Sequence, residues 1–246
     1  MKKAHPSALG RIELVRKKSG ALVYRQRGGN QTTVDAHGVS LDTYIHVLHG
    51  LVSQTPARRI LMIGCGGGTL ATMLARAGRR VTIVDVDPVA FKLARDHFGL
   101  ARNVACRVAD GLAFLQTSRA RFDAIVVDAF IGEDIPAQFL GAEFSRAARR
   151  CLRPNGVLFV KVCLGRGERT ADELALMLLR DRWSARLLDR HRSSERNAIV
   201  MAGAVRGLRV PKLTIVPGVE AARLKAEMAA MGFRRPKSGK RKGRLS

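Results

Sequence analysis

Acidic residues are scarce in this 246-residue chain, 20 against 44 lysines and arginines, and aromatic residues make up only 5% with a single tryptophan. The few aromatics do not interleave with the basic runs, which weighs against a surface that stacks single-stranded bases. Cys65, Cys106, Cys151 and Cys163 have no short paired spacing. That pattern indicates neither a zinc site nor a disulfide framework and reads as reduced thiols of a cytoplasmic protein. No apolar run approaches the roughly 18 residues of a membrane span, and Met1-Lys-Lys-Ala-His-Pro lacks the apolar segment of a secretory leader. There is no Gly-x-Ser-x-Gly elbow. His46 and His49 lie three apart on a predicted helix with no carboxylate motif beside them, so packing or substrate contact is the expected role and no metal is expected.

What the chain does have is Arg59-Ile-Leu-Met-Ile-Gly-Cys-Gly-Gly-Gly-Thr-Leu-Ala, followed by Val81-Thr-Ile-Val-Asp-Val-Asp-Pro. An apolar strand runs into glycines that open a helix, and a second apolar strand ends on Asp85. This is the arrangement that holds an adenine nucleoside. Gly64, Gly66 and Gly68 allow a sharp turn and let a ligand lie against bare backbone, while Asp85 can accept hydrogen bonds from both ribose hydroxyls. The loop continues Gly68-Thr69-Leu70 without the lysine of a phosphate-binding loop, so a phosphate-free thioether or sulfonium of adenosine fits better than a nucleotide. Ala109-Asp110-Gly111 follows the predicted strand Val104 to Val108, and Phe122-Asp-Ala-Ile-Val-Val-Asp128 closes the next one. Ligands of open α/β sheets bind outside the carboxyl ends of strands, where Asp85, Asp110 and Asp128 all fall. For Asp110, capping of the following helix is almost as good an explanation.

Predicted strands at Arg59, Val81, Val104, Ala124 and Val157 alternate with helical stretches at Leu70, Val89, Gly111 and Gln138, the βαβ signature of a doubly wound, mostly parallel sheet. Residues 1–40 read as a small antiparallel β meander and residues 41–232 as the Rossmann-like α/β domain. Within the latter, Leu41 to Leu51, Thr170 to Arg180 and Gly218 to Met231 are predicted helices and Ala198 to Val205 a strand. Residues 233–246, rich in Lys, Arg and Gly, are predicted to be a disordered basic tail.

Gln31, Tyr44-Ile-His46, Val127-Asp-Ala-Phe130 with Ile135-Pro136, and Leu152-Arg-Pro-Asn-Gly-Val-Leu complete a pattern with the glycine loop. The stretch Gln31 to Val162 resembles the spermidine synthase-like group within the class I S-adenosylmethionine-dependent methyltransferase fold. The resemblance implies an aminopropyltransferase-like enzyme with S-adenosylmethionine or its decarboxylated form as co-substrate. It also implies an amine acceptor and a homodimer. Gly64, Gly66, Gly68, Asp85, Asp110 and Gly111 would hold the donor, with Asp85 on the ribose and Asp110 on the adenine amine. Asp128 would orient or deprotonate the attacking amine, and Gln31, Tyr44 and His46 would lie near the acceptor. The chain departs from that group at two acids: Gly67 replaces the loop aspartate that grips the amine of the decarboxylated donor, and Ile131 replaces a polyamine-binding aspartate. Glu133 or Asp134 is a candidate substitute, and methyl transfer on the same scaffold is the alternative activity. A third reading is a basic binding protein that kept the fold and lost turnover.

The formal charge is +24. Such charge attracts nucleic acid or an anionic surface without sequence preference, and the tail is the natural place for weak contact of that kind. Arginine outnumbers lysine 33 to 11, as GC-rich coding would produce, so a merely solvated basic surface is the stronger expectation. A basic protein also repels polyamines at long range unless local carboxylates reverse the field.

Overall fold

The computed structural model describes residues 2–132, 134–165, 168–190 and 196–238. Four strands, β1 (Lys2–His5), β2 (Ile12–Arg16), β3 (Leu22–Gln26) and β4 (Gly29–Val34), form an antiparallel sheet in sequence order. Its apolar face, with Ile12, Leu14, Leu22, Tyr24 and Val34, is buried against Leu93 and Phe98 of the main domain. The meander expected from the sequence is therefore present, and β1 extends it by one strand that the sequence did not announce.

The main domain follows as α1 (Thr43–Ser53), β5 (Arg59–Ile63), α2 (Thr69–Arg76), β6 (Arg80–Asp85), α3 (Pro88–His97), β7 (Ala105–Val108), α4 (Gly111–Thr117), β8 (Phe122–Val127), α5 (Ala142–Cys151), β9 (Leu152–Leu164), α6 (Thr170–Arg180), β10 (Ala185–Asp189), β11 (Arg196–Gly203), α7 (Ala221–Ala229) and β12 (Gly232–Arg234). The helix expected at Gln138 is a short 3₁₀ turn, Ala137–Leu140, that breaks at Gly141 before α5.

The eight-stranded sheet runs β12-β10-β11-β9-β8-β5-β6-β7. Strands β9, β8, β5, β6 and β7 pair in parallel, and β11, β10 and β12 close one edge antiparallel. From β5 the chain winds outward to β6 and β7, then returns to the other side of β5 for β8 and β9. The order therefore reverses between β5 and β8, the position where an open α/β sheet leaves a crevice at its carboxyl edge. Both faces are covered, so central strands read as continuous apolar runs: Ile60, Met62, Val126 and Phe159 face one helical layer, and Leu61, Ile63, Val127 and Val160 the other.

Strand β12 corrects the reading of the tail. Residues 233 and 234 belong to a strand paired with β10, and the Arg234 guanidinium is hydrogen-bonded to Asp172 on α6 and Asp189 on β10. Residues 239–246 lie outside the described residues. Among the described residues no helix is long and apolar enough to cross a membrane.

Candidate active site at the carboxyl edge of the sheet

The glycine loop joins β5 to α2 at the reversal of strand order. Gly64, Gly66 and Gly68 all have positive φ, at 98°, 49° and 66°. Gly64 also has no room for a side chain, because a Cβ there would come within 2.1 Å of the carbonyl oxygen of Asp128. That approach ties the loop to the end of β8, and the Asp128 N–H donates to the carbonyl of Ile63 across 2.9 Å. The amino-terminal sheet reaches the same loop: the Gly67 N–H donates to Oγ1 of Thr32 at 2.9 Å.

A cavity of about 320 Å³ opens over this loop. Its wall includes Gly64, Gly66, Asp85, Asp110, Gly111, Asp128, Gln31 and Tyr44, so eight of the residues singled out in the sequence converge on one space. Gly68 lies behind the loop against Leu100 and supports the turn instead of lining the cavity. Asp85 at the end of β6 accepts from the N–H groups of Cys65 at 2.7 Å and Asp87 at 2.8 Å. Burial pushes its carboxyl above the usual range, and these two N–H groups pull it back.

Asp110 caps the following helix and also stands on the cavity wall. One oxygen caps α4 by accepting from the Ala113 N–H at 2.9 Å, and the other accepts from Nε2 of Gln138 at 2.8 Å on the cavity wall. Gly111 next to it is a packing requirement, since a Cβ would lie 2.4 Å from Cγ2 of Ile63.

Asp128 sits beyond the loop with its side chain 15% exposed. Burial raises its carboxyl above the usual range, and the Lys161 ammonium, 3.7 Å away, acts in the opposite direction. Tyr44 is pushed well up by burial and by Asp128. Gln31 is fixed by donation from Nε2 to the carbonyl of Gly132 at 2.9 Å. A second, wider chamber of about 550 Å³ lies on the far side of Gln31, Tyr44 and Phe130, which line both spaces.

His46 departs from its expected place. It is buried under the start of α1, its Nε2 sits 2.8 Å from the carbonyl of Ser40, and it lines neither cavity. Thr43, Tyr44 and Ile45 at the start of α1 line the two spaces, while the His46 ring is turned to Ser40. Ile131 lines the first cavity as an apolar residue, Asp134 lines the second chamber, and Glu133 lies outside the described residues. Lys161 was missed in the sequence. Its signal was there: one lysine within the apolar run Val157-Leu-Phe-Val-Lys-Val, on a strand buried on both faces.

A methyltransferase-domain family profile matches residues 60–156. The chain is 32% identical over 121 residues to an N-terminal histidine N-methyltransferase of Emericella nidulans, covering 47% of this chain and 22% of that protein. It is 35% identical over 118 residues to a polyamine aminopropyltransferase of Vibrio vulnificus, covering 45% of this chain and 40% of that one. The chain thus spans well under half the length of these two relatives. Among solved structures, a probable spermidine synthase of Corynebacterium glutamicum superposes with a TM-score of 0.77 at 19% identity, covering 96% of this chain and 91% of the other. The chain has the class I S-adenosylmethionine-dependent methyltransferase fold, with the amino-terminal antiparallel sheet in addition.

Proposed function

We propose that the protein is a transferase that moves an alkyl group from a sulfonium-bearing adenosine to a nucleophile held beside Asp128. The supporting observation is the single cavity that joins the positive-φ glycine loop, the Asp85 carboxylate and Asp128 at the reversal of strand order. In this reading Asp85 takes the ribose hydroxyls and the bare loop backbone lies against the donor. The reaction is an in-line displacement: the nucleophile's lone pair forms the new bond to carbon while the carbon–sulfur pair leaves as a neutral thioether. Because the leaving group starts positive, orientation supplies most of the acceleration, and Asp128 takes a proton from the nucleophile, a role worth on the order of a hundredfold.

We read the transferred group as methyl. The ammonium of a decarboxylated donor, no longer accompanied by the donor's own carboxylate, calls for a protein carboxylate beside it, and Gly67 offers no place for one in the glycine loop. A Cβ there would come within 2.8 Å of Cγ2 of Thr32 and 2.9 Å of Cδ1 of Phe98. Aminopropyl transfer is the second reading. It is favoured by the likeness to the Vibrio vulnificus aminopropyltransferase and by a donor cavity lined by Asp85, Asp87, Asp110 and Asp128, with no Lys or Arg among its described lining residues.

Calorimetric titration with S-adenosylmethionine, its decarboxylated form and methylthioadenosine, in wild type and Asp85→Ala, separates these readings. The expected result is tighter binding of the carboxylated donor, lost in the variant. Tighter binding of the decarboxylated donor would put aminopropyl transfer first. Binding of none of the three would overturn transfer altogether.

A further inference from the structure

The side of Asp128 that faces away from the glycine loop is built to hold a cation, and the chain itself supplies one. Lys161 enters from β9 and is 6% exposed. Its ammonium lies 3.7 Å from Oδ1 of Asp128, 3.7 Å from the centre of the Phe130 ring and 4.3 Å from the centre of the Tyr44 ring. A carboxylate and two aromatic faces converging on one point are the elements with which proteins bind ammonium groups, the rings contributing through their negative faces. Tyr44 and Phe130 are also the residues that separate the donor cavity from the second chamber, so the lysine stands at the passage between the two.

We propose that Lys161 permanently fills the cation site at Asp128 and thereby selects an acceptor that is neutral or anionic at the reacting end, excluding polyamines. This rests on the transfer reading above and narrows its acceptor. An incoming ammonium would meet a like charge where it needs a counter-ion, and Asp128 would have to serve two cations within a buried space. An incoming hydroxyl, phenol or carboxylate meets the opposite situation. Its oxygen faces an ammonium that stabilises negative charge as the nucleophile approaches. With a hydroxyl or phenol, the oxygen lone pair forms the bond to the transferred carbon, the carbon–sulfur pair leaves with sulfur, and the proton passes to Asp128. With a carboxylate no proton moves. The lining of the second chamber is close to charge balance and adds no strong field that would draw a polycation past Lys161. Its five acids, Asp42, Asp134, Glu168, Glu220 and Glu227, are nearly balanced by Lys17, Lys161, Arg190 and Arg223, and Arg223 is itself paired with Glu220 and Glu227.

The test is a binding comparison on wild type, Lys161→Gln and Lys161→Met, each first saturated with methylthioadenosine and then titrated with 1,4-diaminobutane and, separately, with benzoate. In the wild type, benzoate is expected to bind and the diamine to give no heat at about 1 mM. Both variants are expected to reverse this order, gaining about tenfold or more for the diamine and losing about tenfold for benzoate. Diamine binding by the wild type would overturn the proposal, whatever the variants do. So would variants that bind methylthioadenosine normally yet still refuse the diamine, because another feature would then be excluding it. Failure of the wild type to bind methylthioadenosine would count against the donor reading alone, and the diamine comparison on the unloaded proteins would still decide whether Lys161 holds the site.

Discussion

Asp128 has to be ionised to accept a proton, yet burial favours its neutral form, and the ion pair with Lys161 only partly offsets this. A carboxyl held above its usual range loses its charge as the pH falls through that raised value, so the acid limb of the rate profile should stand above the ordinary carboxylate range near pH 4. Transfer measured between about pH 4 and 9 should therefore fall off toward acid earlier than an exposed aspartate would cause. Asp128→Asn should lower the rate by about a hundredfold and flatten that limb. An acid limb unchanged in Asp128→Asn would assign the titration to another group and remove Asp128 from the proton's path. Gly64 and Gly67 show the same dependence of role on surroundings. Both are glycines of one loop, but Gly64 is forced by the carbonyl of Asp128 and Gly67 by Thr32 and Phe98. The first restriction shapes the cavity, and the second leaves no room for a side chain at that position of the loop.

At the scale of elements, the antiparallel edge depends on one buried cluster. Arg234 on β12 donates to Asp172 on α6 at 2.6 Å and to Asp189 on β10 at 2.9 Å, and these aspartates are 6% and 1% exposed. Removing the guanidinium while leaving both acids buried should cost about 3 kcal/mol or more, so Arg234→Met should show a clearly lower urea midpoint. For Asp172, burial alone would raise the carboxyl, but Arg234 and the Lys237 N–H hold it below its usual range. A depressed carboxyl contributes stability above its unfolded value and loses it as pH falls, so the deficit of the variant should be full at pH 7 and shrink below about pH 4. An equal deficit at both would mean that packing of the arginine stem, and not its charge, holds the edge. This cluster was not legible in the sequence, where Arg234 sits among Arg and Lys residues that read as tail. Its partners are 62 and 45 residues away, and nothing local marks which arginine folds back. The strands and glycine loop were legible because parallel strands buried on both faces write continuous apolar runs and because a positive-φ turn demands glycine. Tyr44 and His46 were equally visible as side chains, but only the helix orientation could show that one faces the crevice and the other Ser40. Lys161 was visible as a lone charge in an apolar strand, and only the convergence of β8, α1 and β9 gave that charge a meaning.

For the whole molecule, the formal +24 has to be set against compactness. Folding brings 44 cationic side chains closer together than the extended chain does, with 20 acids to offset them, and many of those acids are committed to local pairs such as Asp172 and Asp189 with Arg234 or Glu220 and Glu227 with Arg223. Self-repulsion of this kind destabilises a compact state and is weakened by added salt. The Debye length falls from about 30 Å at 0.01 M to about 8 Å at 0.15 M, enough to screen repulsion across the surface while buried pairs are screened much less. Chemical unfolding in urea, which adds no ions of its own, should therefore show stability rising as sodium chloride is raised over that range. Sodium sulfate at matched ionic strength provides the control: a gain only with sulfate would point to preferential exclusion of that anion from the protein surface instead of screening. If stability fell with salt, the surface would be held by attractive pairs and its charge could not be read as a net repulsive field. With screening established, any attraction to polyanions is distinguished by its dependence on salt and its indifference to Asp85→Ala, because a charged surface acts at long range and the cavity over the glycine loop acts by contact.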